Sequence, residues 1–288
     1  MENKIKIAVV GGDTRSIYAA EELSRSGFEI SICGFADKVG ISDNLHIIER
    51  PEEITDAVLF PIPYSRDGIY INTPFSESKI FVDEIMESIS KNCKIIGGCF
   101  DNKFIEKYVS QGYKIYDCYD SEELKILNAI PTAEGALAIA MQETSKTVHG
   151  SFCTVISYGN VGEALAILLY KIGAKVTVVA RRNSSRAKAV SACLDTVSFD
   201  RLPMILEKSD IVFNAAPAKL ITEDMLSHTK KDVLIIDLAS KPGGVDFDAA
   251  KKLGRKAIWA LSLPGKVAPK TAGKYLAQTV ENIIKGDI

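Results

Sequence analysis

None of the six cysteines forms a CxxC pair, and no cysteine–histidine spacing suits a metal. Cys33, Cys93, Cys99, Cys118, Cys153 and Cys193 each lie in or beside an apolar segment, the usual setting of a reduced, buried thiol in a cytoplasmic protein. Only Cys99, in Gly97-Gly98-Cys99, keeps an alternative reading as a nucleophile. The three histidines, His46, His149 and His228, are far apart in sequence, so no metal site is expected. No apolar run approaches the roughly 18 residues that span a bilayer, and no membrane partner is expected. The first ten residues run directly into a strand pattern, without the core or cleavage site of a signal peptide. Charge of one sign is also missing. Thirty-five basic residues against 37 acidic ones leave a net charge of −2, which argues against broad nucleic-acid binding.

What is present is length and alternation. At 288 residues the chain is about twice a typical domain, and its 47% hydrophobic and 25% charged composition can bury a sizeable core. Short β-branched runs at 5–10, 29–33, 57–60, 94–96 and 114–116 alternate with helical patterns such as 17–26 and 77–90. A second series has strands at 154–157, 175–179, 211–214, 233–237 and 257–260, with helices at 161–172 and 186–194. The pattern predicts an α/β fold of two Rossmann-like, doubly wound parallel-sheet domains linked by interdomain helices. The boundaries read as a first domain over 1–130, a connecting helix over 131–147, a cofactor domain over 148–268, and a closing helix over 269–288. Thr132, just after Pro131, is the expected N-cap of the connecting helix.

Ser157-Tyr158-Gly159-Asn160-Val161-Gly162 follows a strand and opens a helix. It is the dinucleotide fingerprint GxGxxG with Ser157 in place of the first glycine. Gly159 would admit a pyrophosphate, Gly162 would let helix and strand pack closely, and the N–H groups of Asn160 and Val161 would meet the phosphates. After the next strand, NAD sites carry an acid for the ribose 2′-hydroxyl, whereas NADP sites carry arginine. This chain has Arg181, Arg182, Ser184 and Arg186 there and no acid, which points to NADP(H). Asn214-Ala215 and Asp237 end two further strands on the same carboxyl edge and join the expected cofactor contacts.

The first domain opens similarly, but Gly11-Gly12 is followed by Asp13 and Arg15 rather than by further glycines. Asp13 would repel a phosphate, so the loop reads as a substrate loop with Arg15 as a bidentate carboxylate anchor.

That Gly11-Gly12-Asp13-x-Arg15 loop is one of five matching blocks. The others are 128–135 (NAIPTAEG), 148–151 (VHGS), 237–247 (DLASKPGGVDF) and 263–273 (LPGKVAPKTAG). Together they resemble the family of A-type dipicolinate synthase subunits along essentially the whole chain. The resemblance implies formation of pyridine-2,6-dicarboxylate from dihydrodipicolinate or its hydrated precursor, with NADP as acceptor. It also implies a flavoprotein-like B-type subunit as partner and residence in the mother cell of a sporulating bacterium. A substrate with carboxylates on both sides of a ring nitrogen needs cations from more than one direction. Arg15, Lys241, Lys266 and Lys270 are the candidates, with Gly12, Ser65 and Thr132 as further substrate contacts. Asp13 and Glu134 are the candidate bases, and His149 reads as structural. Three alternatives stay open: a dehydrogenase of another small 2-oxo or 2-imino acid, a non-catalytic NADP-binding protein, and self-association into a homo-oligomer.

Overall fold

The computed structural model describes residues 4–35, 42, 45–52 and 55–286. Strands β1 (Lys6–Val10), β2 (Glu29–Cys33), β3 (His46–Ile47), β4 (Ala57–Leu59), β5 (Lys94–Gly97) and β6 (Lys114–Asp117) alternate with helices α1 (Thr14–Arg25), α2 (Val82–Ser88) and α3 (Asn102–Ser110). Helix α4 (Glu122–Glu143) leads to the second series of strands, β7 (Phe152–Ile156), β8 (Lys175–Val179), β9 (Asp195–Val197), β10 (Ile211–Asn214), β11 (Leu234–Asp237) and β12 (Lys256–Trp259). Its helices are α5 (Asn160–Lys171), α6 (Asn183–Ser191), α7 (Leu202–Leu206), α8 (Glu223–Ser227), α9 (Phe247–Lys252) and α10 (Leu263–Val267), and α11 (Pro269–Lys285) closes the chain.

Each series forms a six-stranded sheet, ordered β3-β2-β1-β4-β5-β6 and β12-β11-β10-β7-β8-β9, with every pairing parallel. Both orders are doubly wound, so the chain reverses direction across the sheet between β1 and β4 and between β7 and β10. Ligands of such sheets bind at the carboxyl ends beside that switch. Central strands read as unbroken apolar runs because helices cover both faces. Ile7, Ala8, Val9 and Val10 are all buried, as are Leu234, Ile235 and Ile236.

The described residues form two compact units, one within 1–127 together with 268–288 and the other within 128–267. In the first, α11 lies along α1 and buries Leu276, Ala277, Val280 and Ile283 in the core that contains Ile7 and Leu23. The crossing is close because Gly273 has no side chain: a Cβ there would stand 2.6 Å from Tyr18 Cβ and 2.7 Å from the Arg15 carbonyl oxygen.

Several local readings are corrected. The connecting helix begins at Glu122, not at 131, and ends at Glu143, and Pro131 lies inside it. Glu122 and Glu123 favour the first turn, and the Ser121 hydroxyl accepts a bond from Leu124 N at 3.2 Å, so the helix is nucleated well before the proline. Thr132 is therefore not an N-cap; its Oγ1 donates to the Asn128 carbonyl one turn back, at 2.7 Å. By length and composition α4 could cross a membrane, yet Ala129, Ala133, Ala136 and Ala140 along it are buried in protein. Helix α2 starts at Val82 rather than 77, because residues 69–71 pair with 80–82 through Ile71 N to Ile80 O and Val82 N to Ile69 O. Residues 263–267 form a short helix rather than a loop. Cys99 and Cys193 are exposed, while Cys33, Cys93, Cys118 and Cys153 are buried, with thiols that burial pushes up to about 12.

Candidate functional site

The glycine turn of the second unit sits at the carboxyl end of β7, beside the switch to β10. Ser157, at the first-glycine position, takes a left-handed backbone with φ of 78°, the conformation the fingerprint glycine serves. Its N–H donates to Val179 O at 2.9 Å, holding the turn to the end of β8. Gly162 is obligatory, since a Cβ would fall 2.1 Å from the Ser157 carbonyl oxygen. At Gly159 the same construction meets nothing within 4 Å. Gly159 is also the N-cap of α5, and no side chain caps that helix. Open space before uncapped helix N–H groups fits a pyrophosphate, so the residues present suit a dinucleotide. Tyr158, between them, is buried with a hydroxyl that has no partner among the described residues.

The β8–α6 junction separates its arginines into two roles. Arg186 turns back on the backbone, donating to Ala180 O at 2.7 Å, Arg181 O at 2.9 Å and Asn183 Oδ1 at 2.5 Å. It braces the turn instead of reaching outward. Arg181, Arg182 and Ser184 are exposed, and neither arginine has an ion-pair partner among the described residues. No side chain caps α6, whose N-cap is Arg182.

Asn214 and Asp237 are paired partners in register across β10 and β11, and both are wholly buried. Asp237 accepts from Asn214 Nδ2 at 2.8 Å, Ala239 N at 3.1 Å and Gly244 N at 2.7 Å. Asn214 also ties Ala216 through both side-chain atoms. These side chains shape the edge loops from inside. Ala215, half-buried, donates its N–H to Ile156 O at 3.0 Å.

In the first unit, Gly12 is left-handed (φ 104°), and its N–H donates to Asn72 O at 2.9 Å. Asp13 N-caps α1 through Arg15 N at 3.0 Å. Its two oxygens also take the Arg15 fork, from Nε at 2.9 and 3.1 Å and from Nη2 at 2.8 Å. Nη2 further donates to Ile62 O at 3.0 Å, and Nη1 makes no bond among the described residues. Burial opposes the charge on Arg15, but the Asp13 bonds and charge outweigh it and hold the guanidinium above its ordinary value. Asp13 is thus a strut for Arg15, with both oxygens engaged.

Sequence reading missed the neighbours of this arginine. Asp117, at the end of β6, accepts from Phe100 N at 3.1 Å and Tyr119 N at 2.8 Å, so one carboxylate ties the loops after β5 and β6 together. Those loops carry Cys99 and Tyr119, both within electrostatic reach of Arg15. The only sequence signal was Cys99 after two glycines; its residue is left-handed at φ 59°.

The remaining candidates are less engaged. Ser65 is turned inward, its hydroxyl donating to Tyr70 O at 2.5 Å and organising the 65–70 turn. Glu134 is exposed in the middle of α4, not in a first turn where the helix dipole would act on it. Lys241, Lys266 and Lys270 are exposed without ion pairs among the described residues. His149 is exposed and lies against the turn at Gly173.

Two parallel sheets of this order, the second with a dinucleotide turn, define the fold shared by nicotinamide-dependent dehydrogenases. Residues 132–251 match the D-isomer specific 2-hydroxyacid dehydrogenase NAD binding domain, and residues 6–119 match the N-terminal domain of the A-type dipicolinate synthase subunit. The chain is 32% identical to the A-type dipicolinate synthase subunit of Bacillus subtilis (strain 168) over 286 residues, covering 97% of this chain and 96% of that one. Crystal structures of the same protein from Bacillus halodurans and Bacillus subtilis superpose with TM-scores of 0.90 and 0.88, each at 30% identity. The first covers 97% of both chains, and the second covers 99% of this chain and 97% of its own. The chain belongs to the family of A-type dipicolinate synthase subunits.

Proposed function

We propose that this chain is the NADP-binding component of an enzyme that forms pyridine-2,6-dicarboxylate from dihydrodipicolinate or its hydrated precursor. Beside family membership, the observation that carries the cofactor part is the β8–α6 junction. There, exposed Arg181 and Arg182 flank an uncapped helix start, and no acid stands where a 2′-hydroxyl would need one. A 2′-phosphate suits such donors, and an arginine fork binds it in two places.

Asn160, Val161 and Gly162 offer the helix start that holds the pyrophosphate, and Gly159 leaves the room it needs. When bound, the nicotinamide supplies the two-electron acceptor. Loss of a hydride and a proton from the dihydro ring completes the aromatic sextet, so driving force is ample and the protein's task is placement. Because Asp13 and Ile62 O occupy Nε and Nη2, the two-nitrogen grip expected of Arg15 is reduced to Nη1, which makes no bond among the described residues and anchors one ring carboxylate while Asp13 keeps the guanidinium from swinging. Lys241, Lys266 and Lys270 are the cations available to the other carboxylate, and Gly12 and Thr132 belong to the same substrate set. Of the two carboxylates suited to take the proton, Asp13 has both oxygens on Arg15. Glu134 has no ion pair among the described residues and is the better base. A second, flavoprotein-like protein of the B type completes the enzyme; that the relatives are named as one component of a multi-subunit synthase supports this.

The test is absorbance at the reduced-nicotinamide band with freshly generated dihydrodipicolinate and either NADP or NAD, with and without the B-type partner. NADP reduction accompanied by the aromatic diacid is expected. No reduction under any condition, with NADP still bound, would overturn the catalytic reading. Oxidation of NADPH by simple 2-oxo acids instead would move the chain to another substrate class.

A further inference from the structure

We propose that Cys99 and Tyr119, with Arg15, line the pocket that takes one carboxylate end of the ring substrate in the first unit, and that Asp117 is the positioning residue that sets them there. The inference rests on the ring-dicarboxylate reading above and adds residues that reading did not contain.

The argument starts at the sheet edge. Strands β5 and β6 are neighbours, and Gly97 stands opposite Asp117 in their register. The Asp117 carboxylate reaches over both strand ends, one oxygen to Phe100 N and the other to Tyr119 N. The loops bearing Cys99 and Tyr119 are therefore held as one piece. The same piece is joined to Arg15 through Ile62. A Cβ at Gly98 would lie 2.8 Å from Ile62 Cγ1, so that side chain rests directly on the Gly98 backbone, and the Ile62 carbonyl accepts from Arg15 Nη2. Three loops, after β4, β5 and β6, thus close around one guanidinium.

The chemistry of the cluster suits an anion. The Arg15 side chain is only 13% exposed, and its Nη1 has two N–H donors without a protein acceptor among the described residues. The Tyr119 hydroxyl has no acceptor among them either, and that residue is 43% exposed. A carboxylate accepts only, so it complements these donors. Cys99 must then be a neutral thiol, since a thiolate would repel the ligand. Partial desolvation of its sulfur and the nearby Asp117 hold the thiol above its ordinary value, against the opposing pull of Arg15. The left-handed backbone of Cys99 is a further sign: a non-glycine residue is held there by its surroundings, as happens at binding loops.

Cys99 and Cys193 are the exposed thiols among the described residues, which makes a direct footprint available. In a Cys193→Ser background, with the full chain folded, N-ethylmaleimide modification of Cys99 is followed by mass spectrometry while pyridine-2,6-dicarboxylate is titrated. Binding of the dicarboxylate is measured in parallel by calorimetry. At ten times the dissociation constant, a blocked site slows modification about tenfold by mass action. Tyr119→Phe is expected to weaken dicarboxylate binding and raise KM about tenfold, the loss of one hydrogen bond to a charged group, with kcat retained. Dicarboxylate that binds but leaves the Cys99 rate unchanged overturns this inference and leaves the proposed function standing. An unchanged dissociation constant in Tyr119→Phe overturns it equally. No binding of the dicarboxylate at all overturns both.

Discussion

The side-chain amide of Asn214 donates to the carboxylate of Asp237 at 2.8 Å, between residues that stand opposite each other at the ends of two central strands and are both inaccessible to solvent. Asp237 also receives Ala239 N and Gly244 N, so this one carboxylate fixes the course of the loop that carries Lys241. Removing it leaves several buried donors without an acceptor. Asp237→Ala is expected to cost about 3 kcal/mol of stability, read as a fall in thermal midpoint. Asp237→Asn should rescue little, because its amide must point an N–H group at one of the existing donors. A variant as stable as the parent would remove Asp237 from this role.

The split among the arginines after β8 leads to a cofactor prediction. Arg181 is exposed, whereas Arg186 is committed to Ala180 O, Arg181 O and Asn183 Oδ1. Arg181→Asp should weaken NADP(H) about 10- to 100-fold, the worth of a charge-assisted bond turned to repulsion, and leave NAD(H) nearly unchanged. Fluorescence titration with both cofactors checks this, and equal weakening would refute a 2′-phosphate contact.

Ser157 holds a conformation that costs a side chain about 1 kcal/mol and a glycine almost nothing. Ser157→Gly is expected to gain at most that much, because the extra freedom of glycine in the unfolded chain offsets part of it. Chemical denaturation measures the difference. A loss of more than about 1 kcal/mol would mean that the Ser157 side chain makes contacts outweighing its backbone strain.

Acid should loosen the second unit at a defined point. Burial tends to raise Asp210, but its bonds with Lys230 at 2.9 Å, Phe152 N at 2.9 Å and Lys146 at 3.2 Å prevail and hold it below the usual carboxylate range. A group depressed on folding contributes stability above its unfolded value, near pH ~4, and that stability is lost as pH falls through the folded value. Thermal midpoints taken down through this range should fall more steeply for the parent than for Asp210→Asn. Parallel curves would remove Asp210 from the acid transition.

Much of this protein is legible from its residues in order. Ten of its strands and the glycine turn after β7 follow from local pattern, because a buried parallel strand must be apolar and a pyrophosphate turn must be small. The two strands not foreseen, β3 and β9, are two- and three-residue edge strands with no buried alternation to read. The start of α4 was hidden for a different reason. A proline suggests a helix boundary, yet the residues before Pro131 nucleate the helix and Thr132 bonds across the turn that the proline disturbs. Sequence alone also singled out Arg15, Arg181 and Arg182, since a charge beside a glycine turn at a strand end is well placed to meet an anionic ligand. What only tertiary structure decided is how each group is occupied: that Asp13 braces Arg15, that Arg186 faces inward, and that Asn214 and Asp237 are buried. Cys99 and Tyr119 lie far from Arg15 along the chain and come within its electrostatic reach only because β1, β4, β5 and β6 end on one edge. The Asn214–Asp237 bond and the gathering of these loops are set by strand order in space, which no local pattern encodes.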